Sequence, residues 1–415
     1  MSDEPQTFPV VRLGQEGDGV IVLADGERFV AGALPGERVM FANDRPPVVL
    51  ETSFSGARRS VPLCPHVARC GGCSVQHMDD DLYRGWKATL LPEALRRLGL
   101  DATVVRPMIE VPRMSRRRAV FSVRRDGARV DVGFHAARSQ TIEAITRCGV
   151  LSPDIVAGVV AVRALGRSLL TSKSEARVSV LDTTAGLDIG FDAARSDLSA
   201  DGHALVVETA RAHRVARVSV GTRVLVTHAD PVLSMSGVDV VPPPGAFVQA
   251  VADAEVAMVR LAVAGVGKAK RVADLFAGLG PFSLALAAKA RVLAVDSDQA
   301  LTAALEMAHR KAQGLKPIET KVRDLFTDPL SPRELEGIDA VVFDPPRAGA
   351  RDQARALAKS KVARIIAVSC NPATLARDLE ALVEGGYTLN AVTPIDQFLF
   401  TAHVEAVAVL SRGRT

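Results

Sequence analysis

Pro242-Pro243-Pro244-Gly245 divides the chain into two stretches that obey different rules. Downstream of it, short apolar β-type runs alternate with helical ones: a helix at 253–264, strands at 271–275 and 291–295, a helix at 299–313, a strand at 339–343, a helix at 350–359, a strand at 363–368 and a helix at 374–383. Strands that are apolar on both faces and separated by helices can be satisfied only as a parallel sheet covered on both sides. The pattern therefore predicts a doubly wound α/β domain over 244–415. Its last two strands, 387–393 and 403–410, have no helix between them, so the closing strand is expected to run antiparallel. Three consecutive prolines make a stiff spacer, which places the domain boundary there.

Upstream, residues 8–60 read as short strands. Gly19-Val-Ile-Val-Leu23 and Arg28-Phe-Val30 flank Asp25-Gly26, a hairpin signal. A small five-stranded oligonucleotide-binding (OB-fold) barrel is expected over 1–60. Residues 61–243 are expected to form a β-rich central domain carrying the cysteine loop, and within this span 82–98 reads as a helix with Leu90, Ala94, Leu95 and Leu98 at helical spacing. The net charge of +4 is mild, but 113–147 holds nine arginines against Asp126, Asp131 and Glu143, a local +6. Such a patch suits phosphate contacts and so a nucleic-acid partner. No run of about 18 uncharged apolar residues occurs, so no membrane span is expected. The acidic, polar start Met1-Ser-Asp-Glu lacks the layout of a secretory signal. A cytoplasmic, monomeric protein is expected.

Five cysteines are present: Cys64, Cys70, Cys73, Cys148 and Cys370. In a reducing compartment, closely spaced cysteines point to metal ligation or catalysis rather than disulfides. Three share one Pro/Gly-rich loop, Cys64-x5-Cys70-x2-Cys73, and Cys148 stands alone downstream. Spacing allows either zinc or an iron–sulfur cluster, and the three-plus-one layout leans toward the cluster.

Cys370 is left over. It ends the apolar run Ala363-Arg-Ile-Ile-Ala-Val-Ser369, with Asn371-Pro372 opening a helix behind it. That is the carboxyl edge of the sheet, where α/β domains bind ligands. Asp274-Leu-Phe-Ala-Gly278-Leu-Gly280-Pro-Phe follows the first strand of this domain, and Asp296 ends the next, 18 residues after Gly278. Glycines there let backbone approach a nucleotide-like ligand, and the carboxylate can accept from both ribose hydroxyls. The third glycine of a dinucleotide fingerprint is missing, which favours S-adenosylmethionine, a ligand with no pyrophosphate. Asp344-Pro345-Pro346-Arg347 ends the next strand. Arginine stands where amino-group methyltransferases carry an aromatic, which argues against an exocyclic-nitrogen target. A thiol beside a methyl-donor pocket has a specific use: adding to carbon 6 of uracil makes carbon 5 nucleophilic. A base must then remove the carbon 5 proton. Glu405, in the apolar run Val404–Leu410, is the candidate, because a charge there is costly without function or a partner. His403 is the rival.

Phe247-Val-Gln249, the glycine-containing loop, Asp344-Pro-Pro-Arg, Ser369-Cys-Asn-Pro-Ala-Thr-Leu-Ala-Arg-Asp-Leu and His403-Val-Glu405 resemble the bacterial RNA 5-methyluridine methyltransferase family over nearly the whole chain. The closest likeness is to the cluster-containing branch acting on 23S ribosomal RNA. The resemblance implies a class I (Rossmann-like) methyltransferase domain, Cys370 as nucleophile and Glu405 as proton-abstracting base. It implies methyl-donor contacts at Gln249, Phe276, Asp296, Asp324 and Asp344. It further implies a four-iron–four-sulfur cluster on Cys64, Cys70, Cys73 and Cys148, with the helix near 82–112 packed on the catalytic domain. The N-terminal segment is similar to the TRAM domain, an RNA-gripping barrel. Two positions depart from the family pattern: Pro281 and Val251 stand where asparagine is common. Transfer RNA as substrate, a cytosine carbon 5 reaction and a non-catalytic RNA-binding protein are the alternatives. The cytosine enzymes usually carry a second cysteine where Asp344-Pro-Pro-Arg stands.

Overall fold

The computed structural model describes residues 6–42, 45–50 and 58–413. Parts of the expected N-terminal barrel (1–5, 43–44 and 51–57) lie outside the described residues. The described strands form two small antiparallel sheets, joined through the first strand. Gln6–Pro9 pairs with Arg38–Ala42, which pairs with Arg45–Leu50; Arg12–Leu13 pairs with Gly19–Leu23, which pairs with Gly26–Val30. Val10 sits where the first strand breaks. Its N–H donates to Glu37 O at 2.9 Å, while that of Val11 donates to Val20 O. The buried Val10 side chain joins Ile21, Val30, Ala33 and Val39 in a small core. Gly26 follows the turn with φ +129°, so the expected Asp-Gly hairpin forms with glycine where a side chain would be strained.

The central region is a seven-stranded sheet in the order Ile142–Ala144, Arg129–His135, Arg118–Asp126, Ser174–Thr183, Gly186–Phe191, Val215–Val220, Arg223–Thr227. One pair, Gly186–Phe191 with Val215–Val220, is parallel, and its crossover is a helix, Ala200–Ala212. A second helix, Pro153–Leu169, lies in the same core. The β-rich reading thus missed two helices. Pro153–Leu169 is capped by the Ser152 hydroxyl, which accepts from the Ile155 N–H, and has Pro153 in its first turn. Its dense valines look like strand, yet Ile155, Val159, Val162 and Leu165 form one buried stripe. Gly158 lets the helix approach the sheet, because a Cβ there would lie 2.1 Å from a Leu187 methyl.

The C-terminal domain carries an eight-stranded sheet in the order Ile318–Val322, Arg291–Asp296, Arg271–Leu275, Ala340–Phe343, Arg364–Ser369, Glu405–Ser411, Thr388–Asp396, Ile109–Glu110. The first five are parallel. Glu405–Ser411 is inserted antiparallel between Arg364–Ser369 and Thr388–Asp396, as the missing helix predicted. Two cores cover its faces. One includes the helices Ala252–Val266 and Pro281–Ala287; the other includes Arg351–Ala358 and Pro372–Glu384. Two strands were not anticipated. Ile318–Val322 is an edge strand whose Glu319 and Lys321 are exposed, so its apolar signal is weak. Ile109–Glu110 comes from far upstream and pairs with Ile395 and Asp396.

The helix Asp80–Arg97 joins the C-terminal domain to the N-terminal sheets. Leu91, Ala94 and Leu95 bury into the C-terminal domain's core. Trp86, the chain's one tryptophan, donates its indole N–H to Gly14 O at 2.9 Å and so docks the N-terminal sheets. Lys87, fully buried, pairs with the Asp396 carboxylate and donates to Phe398 O at 2.7 Å; Tyr83 donates its hydroxyl to Asp396 at 2.6 Å and accepts the Phe400 N–H.

Candidate active site and the cysteine cavity

The parallel strands end on one edge, and the loops leaving them build a cavity of about 500 Å³. Every residue expected to bind the methyl donor or act in catalysis lines it: Gln249, Phe276, Asp296, Asp324, Asp344, Cys370 and Glu405, together with the rival His403.

The local sequence explains each placement. After Leu275 the chain turns sharply: Phe276, Gly278 and Gly280 all have positive φ (61°, 55° and 78°). For the bulky Phe276 this is a strained conformation, of the kind that collects at functional sites. Its ring packs on Phe326 with centroids 5.4 Å apart. Gly280 is required sterically, since a Cβ would meet Leu305 at 2.4 Å, whereas Gly278 faces open space. Asp296 is held by backbone: one oxygen accepts the Gly278 N–H at 2.8 Å and the other the Asp298 N–H at 2.9 Å. The Asp324 carboxylate accepts the Phe326 N–H at 2.9 Å. Pro281, one of the two departures from the family pattern, fills the first turn of its helix, where no N–H is needed. Val251, the other, sits at the N-cap of Ala252–Val266, buried and with no side-chain cap bond; an asparagine could cap that helix.

Cys370 stands between the strand Arg364–Ser369 and the helix Pro372–Glu384. The Asn371 side chain caps that helix by accepting the Ala373 N–H at 3.0 Å, and Pro372 opens its first turn. The strand must therefore stop at the cysteine. Burial pushes the Cys370 thiol up to about 11, and the negative charges of Glu405 and Asp344 add to the shift while Arg347 opposes it.

Glu405 begins its strand only 2% exposed. Burial, then the Asp344 charge, push its carboxyl well above the usual carboxylate range. Asp344 keeps some contact with the cavity, yet desolvation pushes it up to about 7. Two glutamines join these acids. Gln249 donates to Asp344 Oδ2 at 2.9 Å; Gln397 donates from one nitrogen to Gln249 Oε1 at 3.0 Å and to Glu405 Oε2 at 2.6 Å. Gln397 escaped the sequence reading. Its only signal was an amide in an otherwise apolar neighbourhood, Phe398-Leu-Phe400, next to a strand end. His403 is half-buried with its pKa lowered by desolvation, and its ring meets Phe398 edge-on at 5.9 Å. At the cavity rim, Phe247 is 59% exposed and the Arg118 guanidinium lies 4.4 Å over its ring.

Cys64, Cys70, Cys73 and Cys148 line a second cavity of about 240 Å³, with Arg116 and Arg118 in its wall. Among the described residues, no three His, Cys, Asp or Glu side chains are already drawn together tightly enough to hold a metal ion. Burial pushes Cys73 up to about 12, and the charges of the other three thiols push the same way. No helix among the described residues is long and apolar enough to cross a membrane.

Three comparisons bear on this geometry. The tRNA (Uracil-5-)-methyltransferase family model matches residues 241–413. An RNA methyltransferase of Agrobacterium fabrum is 45% identical over 98% of this chain and 99% of its own. The 23S rRNA (uracil(1939)-C(5))-methyltransferase RlmD of Chromohalobacter salexigens is 33% identical over 97% of this chain and 88% of its own. Among solved structures, the tRNA (uracil-54, C5)-methyltransferase of Pyrococcus abyssi in complex with S-adenosyl-L-homocysteine superposes with a TM-score of 0.71. It is 20% identical and the match covers 97% of this chain and 99% of that one, which establishes a shared fold. With its antiparallel strand Glu405–Ser411, its strand-end cysteine and these relatives along nearly its whole length, the chain belongs to the RNA (uracil-5-)-methyltransferase family.

Proposed function

We propose that this enzyme methylates carbon 5 of a uridine in 23S ribosomal RNA, with S-adenosylmethionine as methyl donor, through a covalent bond between Cys370 and carbon 6. One observation carries the reading: the thiol of Cys370 and the buried carboxyl of Glu405 line the same cavity as Gln249, Phe276, Asp296, Asp324 and Asp344. The relative at 33% identity supports ribosomal RNA as the substrate; transfer RNA is the second reading, favoured by the fold match to the P. abyssi enzyme. RNA is the partner, and a monomer acting in the cytoplasm completes the proposal.

The residues fit the methyl donor. Asp296 is presented to accept ribose hydroxyls. Phe276 and Phe326 offer faces to an adenine. The desolvated acids Asp344 and Glu405 favour a cationic group beside them. When bound, S-adenosylmethionine supplies an electrophilic methyl group. Cys370 Sγ, as thiolate, adds to carbon 6 of the flipped uracil, leaving carbon 5 enolate-like and able to take the methyl. Glu405 then accepts the carbon 5 proton; the electrons of that C–H bond form the 5,6 double bond and the C6–S bond breaks, returning the thiolate. Phe247, exposed at the rim and backed by Arg118, offers a stacking face to an unstacked base. The four cysteines of the second cavity complete the proposal as ligands of a four-iron–four-sulfur cluster, with zinc as the alternative. A cation there would reverse the penalty the thiols impose on one another, and its contribution would be structural, since methyl transfer moves no electrons.

RNA carrying 5-fluorouridine tests the covalent step, because fluorine blocks removal at carbon 5. The native enzyme should form a denaturant-resistant protein–RNA complex, and Cys370→Ala should form none while still binding S-adenosylhomocysteine. Full methylation by Cys370→Ala would overturn the mechanism. Mapping 5-methyluridine in RNA from a deletion strain separates ribosomal from transfer RNA.

A further inference from the structure

Glu405 has two oxygens in different circumstances. Oε2 accepts from Gln397 at 2.6 Å, whereas Oε1 is buried with no partner. A buried carboxylate oxygen without a partner is costly unless something arrives to meet it. Gln397 is 1% exposed, and its Nε2 spends both hydrogens, one on Glu405 and one on Gln249 Oε1. Gln249 in turn donates to Asp344. With both terminal acids ionised, as the proton-abstracting step requires of Glu405, each accepts, and each amide presents nitrogen toward its acid. Gln397 Oε1 is left unpartnered as a result. The backbone at 397 is clamped on both sides, because buried Lys87 grips the Asp396 carboxylate on one side and Phe398 O on the other.

We infer that Gln397 is the positioning residue for the proton-abstracting step: by occupying Oε2 it fixes the carboxylate of Glu405 so that Oε1 alone meets the carbon 5 proton. Its second hydrogen bond, through Gln249, keeps the base in a set orientation relative to Asp344. This inference rests on the covalent reading above. Within it, the role is stage-specific. Thiolate addition and methyl transfer do not need Glu405 to accept a proton; release of the product does. An amide donor on Oε2 also favours the charged form of the base, which offsets part of the penalty of burial.

The test is Gln397→Met, similar in length but unable to donate, with Gln397→Glu as a second variant that keeps the shape and replaces the donating amide by an acid. Both are assayed on ordinary uridine-containing RNA, with methyl-labelled donor, after melting curves confirm folding. The expected result for Gln397→Met is a kcat reduced roughly 10–100-fold, with KM for RNA and donor within twofold of native. Labelled, denaturant-resistant enzyme–RNA complex should accumulate, the methylated adduct waiting for its proton to leave. Gln397→Glu should fall at least as far, with its residual rate recovering toward acid pH as the added carboxyl is neutralised. Native turnover in Gln397→Met, or a slowed rate without accumulated adduct and with a raised KM, would overturn the inference by showing that the amide is dispensable or merely packs. The 5-fluorouridine control keeps the two readings apart. If the native enzyme traps that RNA and Gln397→Met behaves normally, only the role of Gln397 falls. If the native enzyme fails to trap it, the covalent reading falls and this one with it.

Discussion

Cys370 and Cys73 are the same residue, both desolvated, with thiols pushed to about 11 and about 12. What separates them is their company. Around Cys370 the other charges are carboxylic, Glu405 and Asp344, with Arg347 opposing them; around Cys73 they are the thiols Cys148, Cys70 and Cys64. A lone thiol among acids has partners to trade protons with and a cleft in which to meet a substrate. The four thiols lining the second cavity have no such partner, and the cation proposed for them is what would offset the charges they would otherwise press on one another. Burial alone therefore says nothing about what a cysteine does; the chemistry of its neighbours does.

The largest test of this contrast is removal of the lone thiol. Cys370→Ala should lower methylation on the order of 10⁴-fold or more with an unchanged melting temperature and unchanged iron content. Cys73→Ser should do the reverse in kind, losing iron and thermal stability by metal analysis, visible absorption and calorimetry. Stoichiometric zinc without iron in the native protein would replace the cluster by a zinc site. Next, Glu405→Gln should slow turnover by roughly 10²–10⁴-fold and leave methylated enzyme–RNA adduct behind; turnover near the native rate would move the base to His403. Lys87→Met probes the support of the acid-lined site rather than its chemistry. Leaving Asp396 buried without its cation should cost about 3–5 kcal/mol by denaturant titration, and native stability would show the pair to be dispensable. The last test is of pH. Asp344, held near 7 against an ordinary value of 3.8, favours the folded state when protonated. That contribution is complete below about pH 4 and is lost as pH rises through about 7. The melting temperature of the ligand-free protein should thus decline across that window, and Asp344→Asn should flatten the decline. An unchanged slope would mean that Asp344 titrates normally.

Legibility in the sequence followed chemical oddness. Glu405 stood out because it interrupts an apolar strand run, and Cys370, Asp296 and Asp344 because each ends one. The antiparallel closing strand was readable from a missing helix. Gln397 was not readable, since an amide after a strand has many ordinary uses and its partners Gln249 and Glu405 lie 148 and 8 residues away. The helix Pro153–Leu169 was hidden by β-branched residues whose strand preference the surrounding core overrides. The two-residue strand Ile109–Glu110 had too little pattern to register at all, and its place in the catalytic sheet is set entirely by tertiary contact.

The buried pair of Lys87 and Asp396 spans 309 residues of sequence. At about 5–20 residues per second on the ribosome, Lys87 emerges roughly 15–60 s before its counter-charge exists. During that interval the helix Asp80–Arg97 carries an ammonium group with nowhere dry to go, so its final docking must wait for the sheet to finish. The docking of that helix is consequently timed as well as placed: it closes only after the strand Thr388–Asp396 has been made.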